Sequence, residues 1–512
     1  MKVILFLSGL GIVALLAELF RFKKYLYPII LIGILGAIGI AASYWWFDDG
    51  NLTPYLNGMV DGNHHIPSAA EMGPMHTFSS MLQFGDSSIL LSIIILSTAF
   101  LWFVMSKGFF NNETSKTDHY SLILFALVGA IILCCYANMT MLFLGIEILS
   151  IPLYVLAGSR KDDLSSNEAA FKYFLMGSFA SGFLLFGIAL VYGASGSFDL
   201  VTIGSFIRNN AGNIPGFFYA GILMMLVGLL FKISAVPFHF WAPDVYEGSP
   251  TVITAFMSTI VKTAAVVAIM RLFLSSVFAD ADSFWGPIIA VCTGLTFVIG
   301  NVTASVQNNV KRMLAYSSIS HAGFLLLAVV AFYRIDPELS ATHCSFSAKA
   351  IIYYVAAYSV ASIAAFTVLL NIMEKVGNDK IESFNGLGKK NPLLAVALTI
   401  ALFSLAGIPP TAGFFGKYYV FNAALQTGHY WLVVIGILSS LVGVYYYFRI
   451  IIAMFFKESD NDIAIPANGQ HQALLFVTAV IILVLGLLPD LILNIGTYAP
   501  LPNGVTQIAF AH

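Results

Sequence analysis

Four ionisable side chains lie inside stretches that are otherwise apolar: Glu147, Lys232, Lys262 and Lys417. An ionised group at the centre of a bilayer costs at least about 2.5 to 3.5 kcal/mol, so the default reading of each is functional. A carboxylate and an ammonium in a low-dielectric interior stabilise each other's charged forms. Removing one drives the other to shift its pKa and neutralise. That conditional proton affinity is what a proton relay requires. A lysine whose partner moves can release its proton near neutral pH, although an unperturbed lysine titrates at about 10.4. The plainer alternative is a structural ion pair between helices. Lys417, nearer a helix end than the others, could also reach an interface by snorkelling.

Lys232 stands just before a break, in the run from Leu226 to Gly248 that contains Pro237 and Pro243. Each proline removes a backbone donor, and lipid replaces none. Irregular backbone persists at membrane depth only where protein buries it or where it lines a wet cavity. A second run, from Leu402 to Tyr419, repeats the arrangement with Pro409, Pro410 and Gly413 at the break and Lys417 beyond it. The weaker candidates flank these runs. His239, Trp241, Asp244 and Glu247 either line the cytoplasmic mouth of the first break or anchor it at the interface. His321, in Ser317 to Gly323, either relays protons along its helix or packs there as a hydrogen-bonded histidine. Lys311 and Arg312 read as topology anchors, Tyr445 to Tyr447 with Arg449 as a membrane-interface belt, and Cys134 and Cys135 as small core residues.

The elements that must position these groups are membrane helices. The 512 residues are 59% hydrophobic and 10% charged, and the mean hydropathy is +0.87, far from the soluble range. Apolar stretches of about 20 residues exclude a membrane barrel, whose strands would alternate over shorter segments. The fold class is therefore an all-α polytopic membrane protein. Net charge is near zero, so no nucleic-acid footprint exists. The four cysteines form no CxxC pair, and no disulfide framework, zinc site, iron-sulfur motif or haem motif is expected. The first segment, with Glu18 and no small-residue cleavage site, reads as a retained span.

Apolar runs between polar breaks predict about fourteen helices near residues 2–20, 27–47, 83–105, 120–137, 139–158, 168–193, 215–237, 250–273, 285–304, 313–332, 347–372, 393–423, 430–456 and 472–492. Glu147 and Lys262 then fall near the midplane of the fifth and eighth. The polar stretch 48–83, with His64, His65 and His76, reads as a solvated loop, because that spacing matches no compact ligand set. Lysines and arginines concentrate in alternate loops, which puts the first loop in the cytoplasm and both termini outside. The broken seventh and twelfth helices are five apart and cross in opposite directions, the mark of an inverted repeat with transport sites at the breaks. The expected divisions are N-terminal helices one to three with an extracytoplasmic loop (1–119), a first repeat of helices four to eight (120–273), a second of helices nine to thirteen (285–456) and a C-terminal helix (472–492).

Three stretches carry a family resemblance: Lys232 to Gly248, Asn309 to His321 and Ser404 to Pro410. They resemble the antiporter-like membrane subunits of the proton-translocating NADH:quinone oxidoreductase, respiratory complex I, from about the second helix to the fourteenth. Within that family the subunit N branch is the nearest likeness. The short stretch after Pro489 lacks the long lateral helix of the subunit L branch, and Lys417 replaces the glutamate of the subunit M branch. The resemblance implies that Glu147 pairs with Lys232 and tunes its proton affinity, that Lys262 is the central relay, and that protons leave from Lys417. The tenth helix offers no carboxylate equivalent to Glu147. It further implies no redox cofactor in this chain. NAD, FMN, iron-sulfur clusters and quinone would belong to partner subunits, and the chain would sit among other membrane subunits in the bacterial inner membrane, with no enzymatic activity in isolation. A subunit of a multi-subunit cation/proton antiporter is the alternative, and a structural scaffold a third.

Overall fold

The computed structural model describes residues 1–20, 22–47, 81–109, 116–210, 212–274, 282–333, 343–458 and 468–497. The histidines of the 48–83 loop lie outside them. The described residues form the fourteen expected spans, here α1 to α14. These are α1 (Lys2–Leu16), α2 (Leu26–Phe47), α3 (Asp86–Ser106), α4 (Lys116–Cys135), α5 (Met139–Ala157), α6 (Leu164–Ser195), α7a (Gly216–Lys232) with α7b (Trp241–Gly248), and α8 (251–274). The rest are α9 (Asp282–Ser305), α10 (Val310–Val330), α11 (His343–Val376), α12a (Pro392–Ala406) with α12b (Ala412–Gln426), α13 (Tyr430–Phe456) and α14 (Gly469–Leu487). Among the described residues, eleven helices are long and apolar enough to cross a membrane, and α1, α7a and α12a are shorter apolar ones. The two over-long segments are thus each split in two.

Local chemistry sets the ends. Asn138 caps α5 by accepting from Thr140 N–H (2.8 Å), and Asp163 caps α6 by accepting from Ser165 N–H (3.0 Å). Pro392 opens α12a, where its missing N–H costs nothing. Gly407 ends α12a at φ 84°, a conformation glycine alone adopts freely. A short helix not anticipated from sequence, Leu200–Asn209, follows α6. Its N-terminal residue is Asp199's neighbour, and Asp199 accepts from Thr202 N–H (2.9 Å).

α8, α10 and α11 sit at the centre, enclosed almost entirely by other helices. The outer helices turn apolar side chains outward, as Phe171, Phe174, Phe179 and Phe183 of α6 do. In water that surface would be a liability, whereas lipid or a neighbouring subunit accepts it.

Two isolated bridges tie matching points of the chain. Before α5, Met139 N–H donates to Phe198 C=O (2.9 Å) and Leu200 N–H to Ala137 C=O (3.1 Å). Before α10, Val310 N–H donates to Asp379 C=O (2.7 Å) and Ile381 N–H to Asn308 C=O (3.0 Å). The two bridges thus stand at matching points, one before α5 and one before α10, as the breaks do in α7 and α12.

Candidate functional site

The first break is held by two hydrogen bonds. α7a stops after Lys232. Ser234 then takes φ 61°, the one positive value at a non-glycine among the described residues, and Val236–Pro237 is cis. The freed Val236 N–H donates to Thr296 Oγ1 of α9 (3.0 Å). Trp241 Nε1–H, at the start of α7b, reaches back to Phe231 C=O of α7a (3.0 Å). The break therefore leaves few donors unsatisfied, as a membrane interior demands.

The Lys232 ammonium, buried at the end of α7a, donates to Ser150 Oγ (2.6 Å) and Tyr154 OH (3.4 Å) of α5. It also lies over the rings of Tyr154 (5.4 Å) and Tyr173 (5.8 Å), contacts that gain strength without water. Gly177 makes room for the Tyr154 hydroxyl, since a Cβ there would sit 2.3 Å from it. The implied pairing of Lys232 with Glu147 is absent. Glu147 is half-buried on the same side of α5, its Oε1 enclosed with no hydrogen-bond partner, and hydroxyls take its place beside the ammonium.

Lys262 follows a π-helical turn, Met257–Val261, within α8. Such turns re-aim a side chain and recur at functional sites. Its ammonium donates to both the carbonyl and the hydroxyl of Ser318 on α10. Two hydrogen-bonded runs start from Ser318 and from its neighbour Ser317. Tyr358 O–H donates to Ser318 Oγ (3.0 Å), and the Ser317 and Tyr447 hydroxyls are hydrogen-bonded. Tyr447 OH lies 3.3 Å from His321 Nε2, and Tyr354 OH lies 2.6 Å from His321 Nδ1. On the Lys232 side, the Tyr246 hydroxyl is near both Ser318 and Ser234, whose Oγ makes no hydrogen bond.

A small cavity lies between His321, Tyr354 and Tyr358 on one side and Ser404 and Lys417 on the other. The Lys417 ammonium is buried and donates to Ala406 C=O (2.7 Å) and Ser440 Oγ (3.1 Å), above the Phe324 ring (4.8 Å). It does not snorkel; it caps the C-terminus of α12a, where a cation is favoured. Gly413 lets the two half-helices meet, because a Cβ there would lie 1.7 Å from Ser404 O. The two break lysines are not equivalent. Lys232 precedes its prolines on the first half-helix, whereas Lys417 follows them on the second.

His239 is buried beside Phe240, with Nδ1 unpartnered. Asp244 and Glu247 do form a mouth cluster. Asp244 accepts from Lys172 Nζ (2.8 Å) and Arg312 Nη1 (3.1 Å), and Glu247 accepts from Arg312 and from Asn309 Nδ2 (2.9 Å). Burial pushes the Asp244 carboxyl up, but Lys172 and Arg312 outweigh it and hold it below its ordinary value. Three sequence assignments change. Lys311 is buried rather than a surface anchor, and Tyr446 and Tyr447 lie in the core, leaving only Tyr445 exposed. Arg449 binds the C-terminal carbonyls after α9, Ser305 C=O (2.8 Å) and Gln307 C=O (3.0 Å). Sequence reasoning missed Ser150, Tyr154, Thr296, Ser318, Tyr354, Tyr358 and Tyr447. The spacing Tyr354, Tyr358 and the run Ser317, Ser318, His321 put polar groups on one helix face, a signal that was available.

A family described as NADH:quinone oxidoreductase/Mrp antiporter, TM, matches residues 136–443. The chain is similar to the NADH-quinone oxidoreductase subunit N of Cytophaga hutchinsonii, 42% identical, with 97% of this chain and 99% of that one covered. Among solved structures, a chain of respiratory complex I from Thermus thermophilus matches with TM-score 0.74 and 29% identity, over 96% of this chain and 98% of that one. A chain of the Mrp complex from Dietzia sp. DQ12-45-1b shares the fold, with TM-score 0.76 and 20% identity over 96% and 95% of the two chains. The site described above is thus set in a known frame, and the chain belongs to the NADH-quinone oxidoreductase subunit N family of antiporter-like membrane subunits.

Proposed function

We propose that this subunit itself moves protons across the bacterial inner membrane, through Lys232, Lys262 and Lys417 in that order. The observation that carries the reading is the run from Lys262 through Ser318 to Tyr358, which lines the cavity beside Lys417 together with His321 and Tyr354, the end of a second hydrogen-bonded run from Ser317 through Tyr447. Each member both donates and accepts, so a proton can be handed on without a bare charge in lipid. Glu147, with its unpartnered oxygen beside the Lys232 pocket, would bias the first lysine when either side chain rotates. His239, Asp244 and Glu247 would line the entry and His321 the connection between the halves.

Moving a charge against 100 mV costs about 2.3 kcal/mol, so an outside energy source is required. Quinone reduction by NADH in neighbouring subunits would supply it, with NAD, FMN, iron-sulfur clusters and quinone held there and none in this chain. The functional divisions are residues 120–273 and 285–456 as the two half-channels, with 1–119 and 472–492 as flanking helices. The loop after α1 faces the cytoplasm and both termini lie outside, in keeping with the clustering of basic residues. Purification of the tagged chain in mild detergent tests this. Co-purified NADH:quinone activity, with proton pumping that Lys262→Ala abolishes, supports it. Sodium/proton exchange without NADH oxidation would instead mark a cation/proton antiporter subunit.

A further inference from the structure

Lys311 occupies the second residue of α10 and is only 3% exposed. A buried cation at a helix N-terminus opposes the helix dipole, so α10 gains nothing from it. Its ammonium is aimed elsewhere, donating to Glu247 C=O (2.9 Å) and to Ser249 C=O. Those carbonyls end α7b, just before Pro250 and the start of α8. The last carbonyls of a helix have no partners within it, and Pro250 has no N–H to offer. Val245 C=O is satisfied by Ser249 N–H (3.0 Å) and Tyr246 C=O by Thr254 Oγ1 (2.8 Å). Lys311 serves the next ones.

The same end of α10 grips the acidic side chains of α7b through Asn309 and Arg312. Two turns further on, α10 presents Ser318 to Lys262. The α7b–α8 junction and α10 are therefore tied at two places, Lys311 at the mouth and Lys262 at the centre. We infer that Lys311 is a positioning residue that fixes α10 against the α7b–α8 junction, and so sets where Ser318 meets Lys262. This rests on the relay reading above. A change at the mouth, where α7b moves with Asp244 and Glu247, would be transmitted along α10 to the central lysine.

The test uses the assembled complex in inside-out membrane vesicles, with NADH-driven pumping measured per assembled complex in Lys311→Met, Lys311→Arg and Lys262→Ala variants. The inference expects Lys311→Met to lose pumping at least about fivefold and Lys311→Arg to keep at least about half of it. A guanidinium still donates to two carbonyls but releases no proton, so rescue by arginine separates positioning from proton carriage. Pumping by Lys311→Met at the parent rate, while Lys262→Ala pumps nothing, overturns the inference alone. Parent-like pumping by Lys262→Ala overturns the relay reading beneath it. Equal loss in the arginine and methionine variants would make Lys311 a proton carrier and also overturn it. If the methionine variant does not assemble, the arginine variant decides: retained pumping upholds positioning and lost pumping rejects it.

Discussion

Lys262 and Ser318 meet through two contacts at once, the ammonium donating to both the backbone carbonyl and the hydroxyl of one residue. The carbonyl holds the ammonium in place while the hydroxyl links it to Tyr358. Ser318→Ala removes only the second contact. Pumping should fall by roughly fivefold, the worth of about 1 kcal/mol, with assembly unchanged, whereas Lys262→Ala should abolish it. Equal effects of the two variants in a vesicle pumping assay would show that the hydroxyl is the whole of the contact.

Thr296 and Val236 join the two halves of the molecule at the first break. Thr296→Val keeps the shape and leaves the Val236 N–H buried without an acceptor. A stability loss of about 1 to 3 kcal/mol is expected, with Thr296→Ser near the parent. Thermal inactivation of NADH:quinone activity in membranes reads this, and a valine variant as durable as the parent would mean that another group satisfies the break.

Asp244 links α7b to Lys172 and Arg312, and its carboxyl is held below the ordinary value. A group with a lowered folded pKa contributes stability above its unfolded value of about 3.9 and loses it as pH falls through the lower folded one. Protection of the α7b amides relative to their intrinsic exchange rate should accordingly be equal at pH 7 and pH 5. Asp244→Asn should lower it at both. The pair is over a third exposed, so the effect stays under about 1 kcal/mol and shrinks with salt. Protection lost between pH 7 and pH 5 in the parent would place the titrating group elsewhere.

Ser234 pays backbone strain at φ 61° beside the first break. Ser234→Gly relieves that strain and removes a hydroxyl near Tyr246, so heat resistance should hold or rise while pumping drops. Ser234→Val, β-branched in a left-handed conformation, should cost roughly 1 to 2 kcal/mol of stability. A glycine variant with parent-like pumping would remove Ser234 from the path between Lys232 and Lys262.

Much of this architecture is legible in the chain alone. Hydrocarbon thickness fixes span length, so apolar runs reveal all fourteen spans. Proline chemistry fixes the two breaks, and the cost of a buried ion singles out Glu147, Lys232, Lys262 and Lys417. What the sequence cannot settle is which faces meet. Helices such as α6 and α12a are apolar on nearly every side, so no polar stripe reports their rotation about their own axes. Only packing decides that Lys232 meets Ser150 and Tyr154 rather than Glu147, that Tyr446 and Tyr447 point inward, and that Lys311 leaves the surface to satisfy the end of another helix. These contacts join residues far apart in the chain, and their energy depends on distance and angle that no local pattern carries.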